Sequence, residues 1–162
     1  MNSYKLTYIY KNYNLQMYLS LNKYRPLVFV PMAADILHYG HINILLKANR
    51  HGNVIVGLMT DSGIKSYKRK KPIVNYKNRK RVLDQIKCIK KIIPLNGLKY
   101  VEFAKKYKFE YFVHGDDWKK NIQSKVRSDL IKTMKKWNGK VLEFEYTKNI
   151  SSSKIKSLLN KI

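Results

Sequence analysis

Residues 27–59 read LVFVPMAADILHYGHINILLKANRHGNVIVGLM, and this stretch decides the fold. It opens with LVFVPM, a short continuous apolar run from Leu27, as a strand buried on both faces requires. HINILLKANR then places Ile42, Leu45, Leu46 and Asn49 at helical spacing, and Gly52 supplies the stop. VIVGLM, Val54 to Met59, is a second buried strand. Strand, helix and strand in this order make one unit of a parallel sheet.

The alternation continues toward the C-terminus. A basic loop, TDSGIKSYKRKKPIVN, leads into KNRKRVLDQIKCIKKI, where Val82, Leu83, Ile86 and Ile89 make one apolar helix face. IIPL is a short strand, YVEFAKKYKF a helix and YFVHG a strand. IQSKVRSDLIKTMKKWNG carries Ile122, Val126, Leu130, Met134 and Trp137 at near-heptad steps and ends at Gly139. VLEFEY alternates as a last strand before SSKIKSLLNKI. The pattern predicts an α/β fold: a Rossmann-like, doubly wound parallel sheet of five strands with helices on both faces. Residues 1–25 hold neither period and are rich in Tyr, Asn and Lys, so they are expected to be a poorly specified extension to a single domain at 26–162.

Composition narrows the classes. With 44% hydrophobic residues in 162, the chain can bury a core, and one cysteine, Cys88, provides neither an internal disulfide nor a zinc cage. No apolar run approaches the roughly 20 residues that span a bilayer, and the first residues are too polar for a signal peptide, so a cytoplasmic location is expected. The 34 Lys plus Arg against 10 Asp plus Glu give a formal net charge of +24, which attracts phosphate at long range. Lysine falls on nearly every predicted helix beside abundant Asn, Ile and Tyr, a distribution that favours a solvated surface over a polynucleotide footprint.

Chemistry concentrates in loops after strands. In ADILHYGH, His38 and His41 stand three apart around Gly40 where a helix begins, so both can face the anion site of free helix N–H groups; a histidine-rich turn is the plain alternative. Ser151, Ser152 and Ser153 open the last helix as a second anion site or a simple N-cap. Asp116 and Asp117 either hold ribose hydroxyls or Mg²⁺, or cap the next helix.

On these residues the chain resembles the HxGH nucleotidyltransferases, which transfer a nucleotide monophosphate from a triphosphate and release pyrophosphate. HGDDW, His114 to Trp118, is similar to the GDDW loop of cytidylyltransferases acting on glycerol 3-phosphate and phosphocholine, and YTKNISSSKI, Tyr146 to Ile155, to their RTEGISTT element. There are departures: the family's GTFD reads MAAD, keeping Asp35 but placing Met32 at the glycine. Tyr146 stands for the arginine of RTEGISTT and Asn149 for its glycine. Together with HGDDWKKNIQSKVR, these differences resemble the cytidylyltransferases of phosphonate metabolism, often fused to phosphoenolpyruvate mutase, and point to 2-aminoethylphosphonate as first acceptor. Glycerol 3-phosphate, phosphocholine and phosphoethanolamine come second.

The resemblance implies CTP with Mg²⁺ and a homodimer. It assigns His38, His41 and Lys68 to catalysis, and Asp35, Gly40, Arg79, Gly115, Asp116, Ile150, Ser151, Ser152 and Ser153 to the nucleotide. The acceptor falls to Asp117, Trp118, Lys125, Arg127 and Tyr146, and a metal to Asp116. Chemistry supports the histidines independently, whereas Lys68 and Arg79, apart from the resemblance, read first as a solvated basic loop. A phosphate acceptor is already charged near neutral pH, its second ionisation lying at about 6, so the reaction needs donors and cations on the phosphoryl oxygens, not a general base. Tyr39 and Trp118 are candidates to face a cationic head group. His114 is a candidate wall residue, while His51 and Cys88 are expected to be structural.

Overall fold

A computed structural model describes residues 25–119 and 123–159. Its element order is β1 (Leu27–Met32), α1 (Tyr39–Asn49), β2 (Asn53–Met59), α2 (Asp61–Lys68), α3 (Tyr76–Leu83), β3 (Ile89–Leu95), α4 (Tyr100–Tyr107), β4 (Tyr111–Gly115), α5 (Gln123–Met134), β5 (Lys140–Phe144) and α6 (Ser152–Leu159). The strands form one sheet in the order β3-β2-β1-β4-β5, with every pairing parallel. The order reverses between β1 and β4, which opens a crevice at the carboxyl ends of those two strands.

Period-two alternation along the central strands sorts the core into two layers. Phe29 and Ile55 face Tyr100, Ala104, Phe112, Leu130 and Met134 from α4, β4 and α5. Val28, Val30, Val54 and Val56 face Leu45, Ala48 and Leu83 from α1 and α3. Helices therefore cover both faces, as the sequence predicts. Gly57 has no side chain because the Phe29 ring lies over it: a Cβ there would stand 2.2 Å from Phe29 Cζ. Among the described residues no helix is long and apolar enough to cross a membrane.

Two local expectations are corrected. The basic loop contains α2, started by Thr60, whose hydroxyl accepts from Gly63 N–H at 3.0 Å, and ended by Arg69 in the left-handed region at φ 55°. Only Ile64 of its large apolar side chains is buried, so no apolar stripe announces it. Conversely, the helix expected to reach Ile89 stops at Leu83: Val82 is 52% exposed, and Ile89 begins β3 opposite Val54. Of the expected extension, only Arg25 is described; its guanidinium donates to Asn49 O at 2.9 Å. Ile122 and Lys120 lie outside the described residues.

Candidate active site

The loops after β1, β4 and β5, the second half of α2 with the loop that follows it, and the start of α6 surround a cavity of about 620 Å³ at the crevice. The β1 loop turns sharply at Ala34, a non-glycine residue at φ 47°, and delivers His38 as N-cap of α1. Gly40 N–H donates to His38 Nδ1 at 3.2 Å, and His38 N–H donates to His41 Nδ1 at 3.3 Å. Each Nδ1 is thus an acceptor, so each neutral ring carries its proton on Nε2 as a donor. The rings lie 4.0 Å apart, and both line the cavity. Burial, with His38 and Lys68 nearby, pushes His41 down to about 4, and burial lowers His38 as well. At neutral pH the pair is uncharged, with two N–H donors presented together at a helix N-terminus. Gly40 is required here, because a Cβ would lie 2.9 Å from the His38 ring.

Asp35 is buried and lines the same cavity as the histidines. Its Oδ1 accepts from Val74 N–H at 2.9 Å, and its Oδ2 pairs with Lys156 of α6. Burial raises its carboxyl, but Lys156 and the Val74 N–H outweigh that and hold it below the ordinary value. Asp35 is therefore an anchor for a cavity lysine. Lys68 also lines the cavity; partial burial and Lys156 lower its pKa against the opposing pull of Asp35 and Asp117. Lys47, Lys70 and Lys71 complete a cationic wall.

The three serines divide the work. Ser151 Oγ accepts from Lys154 N–H at 3.0 Å as the cap of α6, and Ser152 Oγ donates to Ile36 O at 3.1 Å, tying α6 to the β1 loop. Ser153 is exposed, and all three line the cavity. Ile150 packs its Cγ2 within 3.4 Å of where a Gly40 Cβ would stand. Asn149 sits at φ 66°, which explains why the family's glycine can become asparagine here: asparagine is among the few residues that enter that region readily.

The β4 loop departs further from expectation. Gly115 and Asp117 line the cavity, but Asp116 Oδ1 accepts from Tyr146 N–H at 3.0 Å and so fixes the β5 loop. Among the described residues no three His, Cys, Asp or Glu side chains gather to hold a metal. Tyr146, which stands for the arginine in sequence, lines the cavity and is 43% exposed.

Trp118 does not face a substrate. It is 1% exposed, stacked on His114 at 4.1 Å and donating its indole N–H to Glu143 Oε1 at 2.6 Å. Arg127 is likewise committed to Glu143, Nε to Oε1 at 2.6 Å and Nη2 to Oε2 at 2.9 Å, away from the cavity lining. Arg79 is 2% exposed and donates to Val74 O, Ala33 O and Asp61 Oδ1, so it braces the β1 loop instead of clamping phosphate. Lys125 is exposed, and neither it nor Tyr39 is among the cavity residues. His114 is a wall residue, its pKa lowered by burial.

Sequence reasoning missed Lys156, Tyr67, Tyr100 and Gln123, all on the cavity wall. Lys156 was findable: it lies four residues after Ser152 and so shares its helix face. The others come from elements whose lining residues form no motif.

A doubly wound sheet with paired neutral histidines at a helix N-terminus, ringed by lysines, defines a site for phosphoryl chemistry of the nucleotidyltransferase type. Residues 33–158 match the cytidylyltransferase-like family, and the chain belongs to it; it is a nucleotidyltransferase. It is 30% identical over 126 residues to the glycerol-3-phosphate cytidylyltransferase of Staphylococcus aureus, covering 77% of this chain and 88% of that one. The Bacillus subtilis enzyme of the same name is 29% identical over 123 residues, covering 75% and 88%. Among solved structures, the lipopolysaccharide core biosynthesis protein of Thermoplasma volcanium superposes with a TM-score of 0.63 at 21% identity, over 75% of this chain and 98% of that one, and shares the fold.

Proposed function

We propose that the chain transfers CMP from CTP to a small phosphomonoester of the glycerol 3-phosphate class, releasing pyrophosphate. The observation that carries this is the pair of neutral histidines with Nε2–H donors at the start of α1, in one cavity with Lys68 and Lys156. An acceptor phosphate oxygen attacks the α-phosphorus, a new P–O bond forms, and the bond to the bridging oxygen breaks as pyrophosphate leaves. The histidines donate to the phosphoryl oxygens as charge builds, and the lysines offset charge on the departing pyrophosphate. No proton need leave the acceptor, which is already ionised. Mg²⁺ bound to the triphosphate would supply charge neutralisation; of the cavity carboxylates Asp35 is paired with Lys156, and Asp117 would meet the ion, since one or two carboxylates suffice.

The relatives favour glycerol 3-phosphate over the phosphonate acceptor that the sequence puts first. One observation keeps the phosphonate reading in play: Tyr146 lines the cavity where the glycerol 3-phosphate enzymes resembled here carry arginine. Pyrophosphate release with each of four triphosphates, against glycerol 3-phosphate, 2-aminoethylphosphonate, phosphocholine and phosphoethanolamine, tests both. CTP with glycerol 3-phosphate is expected to be fastest. A preference for ATP would overturn cytidylyl transfer, and a preference for 2-aminoethylphosphonate would exchange the two acceptors.

A further inference from the structure

The cavity has two unlike ends. Toward β5 it is open and polar, walled by Tyr146, Thr147, Asn43 and Ser153. Its closed end is lined by Met59 of β2, Ile64 of α2 and Tyr100 of α4, which are 4%, 2% and 2% exposed. Gln123, the first residue of α5, lines the cavity together with Tyr67 and donates its amide N–H to the Tyr67 hydroxyl. Its Oε1 is buried and, among the described residues, is the one buried side-chain polar atom without a hydrogen-bond partner. Leaving a buried amide oxygen unsatisfied costs about 1–3 kcal/mol, so such an atom beside a cavity calls for a ligand donor.

We propose that Gln123 sets acceptor specificity: its Oε1 accepts a hydrogen bond from a hydroxyl or ammonium group on the acceptor's carbon chain, distal to the reacting phosphate. The assignment rests on the cytidylyl transfer proposed above and adds the chemistry at the far end of the acceptor. With the α-phosphorus at His38, His41 and Lys68, the nucleoside is too large and polar for the closed end and takes the open one. A two- or three-carbon chain suits the closed end. Apolar walls from Met59 and Ile64 accommodate the methylenes, and the amide oxygen takes the polar terminus. Gln123 is a specificity residue and takes no part in bond making.

The test compares glycerol 3-phosphate and 2-aminoethylphosphonate with propyl phosphate, which has the chain but no distal donor. Pyrophosphate release is measured for the wild-type protein, Gln123→Met and Gln123→Glu. Wild type is expected to prefer the donor-bearing acceptors in kcat/KM by about 5- to 150-fold. Gln123→Met removes most of that preference with KM for CTP unchanged. Gln123→Glu, which puts a carboxylate at the same point, is expected to raise kcat/KM for 2-aminoethylphosphonate relative to propyl phosphate, because a carboxylate holds an ammonium group more strongly than an amide does. Unchanged discrimination in both variants, with turnover intact, overturns the Gln123 assignment alone. Failure of the wild type to release pyrophosphate from CTP with any acceptor overturns the proposed reaction and this assignment with it.

Discussion

Replacing Arg127 with alanine should cost stability and leave acceptor binding alone, the reverse of what its position after GDDW implies. Two charged hydrogen bonds at 2.6 and 2.9 Å join it to Glu143, whose side chain is 17% exposed. Arg127, helped by Trp118 and Lys119 against the opposing effect of burial, holds the Glu143 carboxyl down at about 2, from an ordinary 4.5. A shift of that size corresponds to roughly 3 kcal/mol of linked stability. Arg127→Ala leaves Glu143 with the Trp118 N–H and with Lys119 at 3.6 Å, so the carboxylate is not orphaned, and the expected loss is about 2–3 kcal/mol. Because the folded carboxyl pKa is depressed, this stability is fully present above the unfolded value and fades as pH falls through the folded one. Urea unfolding of wild type and Arg127→Ala at pH 7 and at several points below pH 4.5 should show the two curves converging toward pH 2. A variant within about 0.5 kcal/mol of wild type at pH 7 whose KM for acceptor rises tenfold would refute the reasoning and return Arg127 to the substrate.

Removing the His41 ring (His41→Ala) should lower kcat about a hundredfold with little change in KM for CTP, as loss of one preorganised donor does; an unchanged kcat would remove it from the mechanism. The His41 ring, followed by NMR, should titrate near pH 4, and a midpoint between 6 and 7 would contradict its burial. Asp35→Asn should raise KM for CTP, because Lys156 loses the partner that fixes it, and should cost about 1.5–3 kcal/mol near neutral pH. That loss should shrink in acid as the wild-type carboxyl itself becomes protonated below its depressed pKa. Asn149→Gly should be tolerated, whereas Asn149→Ala should lower stability by about 1 kcal/mol, measured by thermal unfolding, because φ is 66°.

Most of the sheet was legible because strands buried on both faces write themselves as apolar runs: β1, β2 and β4 fall where LVFVPM, VIVGLM and YFVHG put them. Helix α2 was not, since a polar helix held by a Thr60 cap and one buried isoleucine has no period to read. Lysine-rich helices likewise hid the end of α3. Within the site, His38, His41 and the serines were legible because a helix N-terminus has a chemical signature. Arg79, Trp118 and Arg127 misled for a physical reason: a cation or aromatic near a motif serves substrate or framework equally well in sequence, and only the partners decide, Asp61 at 18 residues from Arg79 and Glu143 at 25 from Trp118 and 16 from Arg127.

The cavity is stitched across the two ends of the domain. Tyr39 reaches Lys148, Asn43 reaches Thr147, Ser152 reaches Ile36 and Lys156 reaches Asp35, over separations of 104 to 121 residues. Such contacts form late, since a long loop must close before they repay the entropy. A ribosome that has released everything through β5 has therefore delivered every strand and both histidines, but not the Ser152 and Lys156 contacts that complete the site. The site is completed when α6 docks, and a chain halted before Ser152 would hold its histidines yet leave Asp35 without its cation.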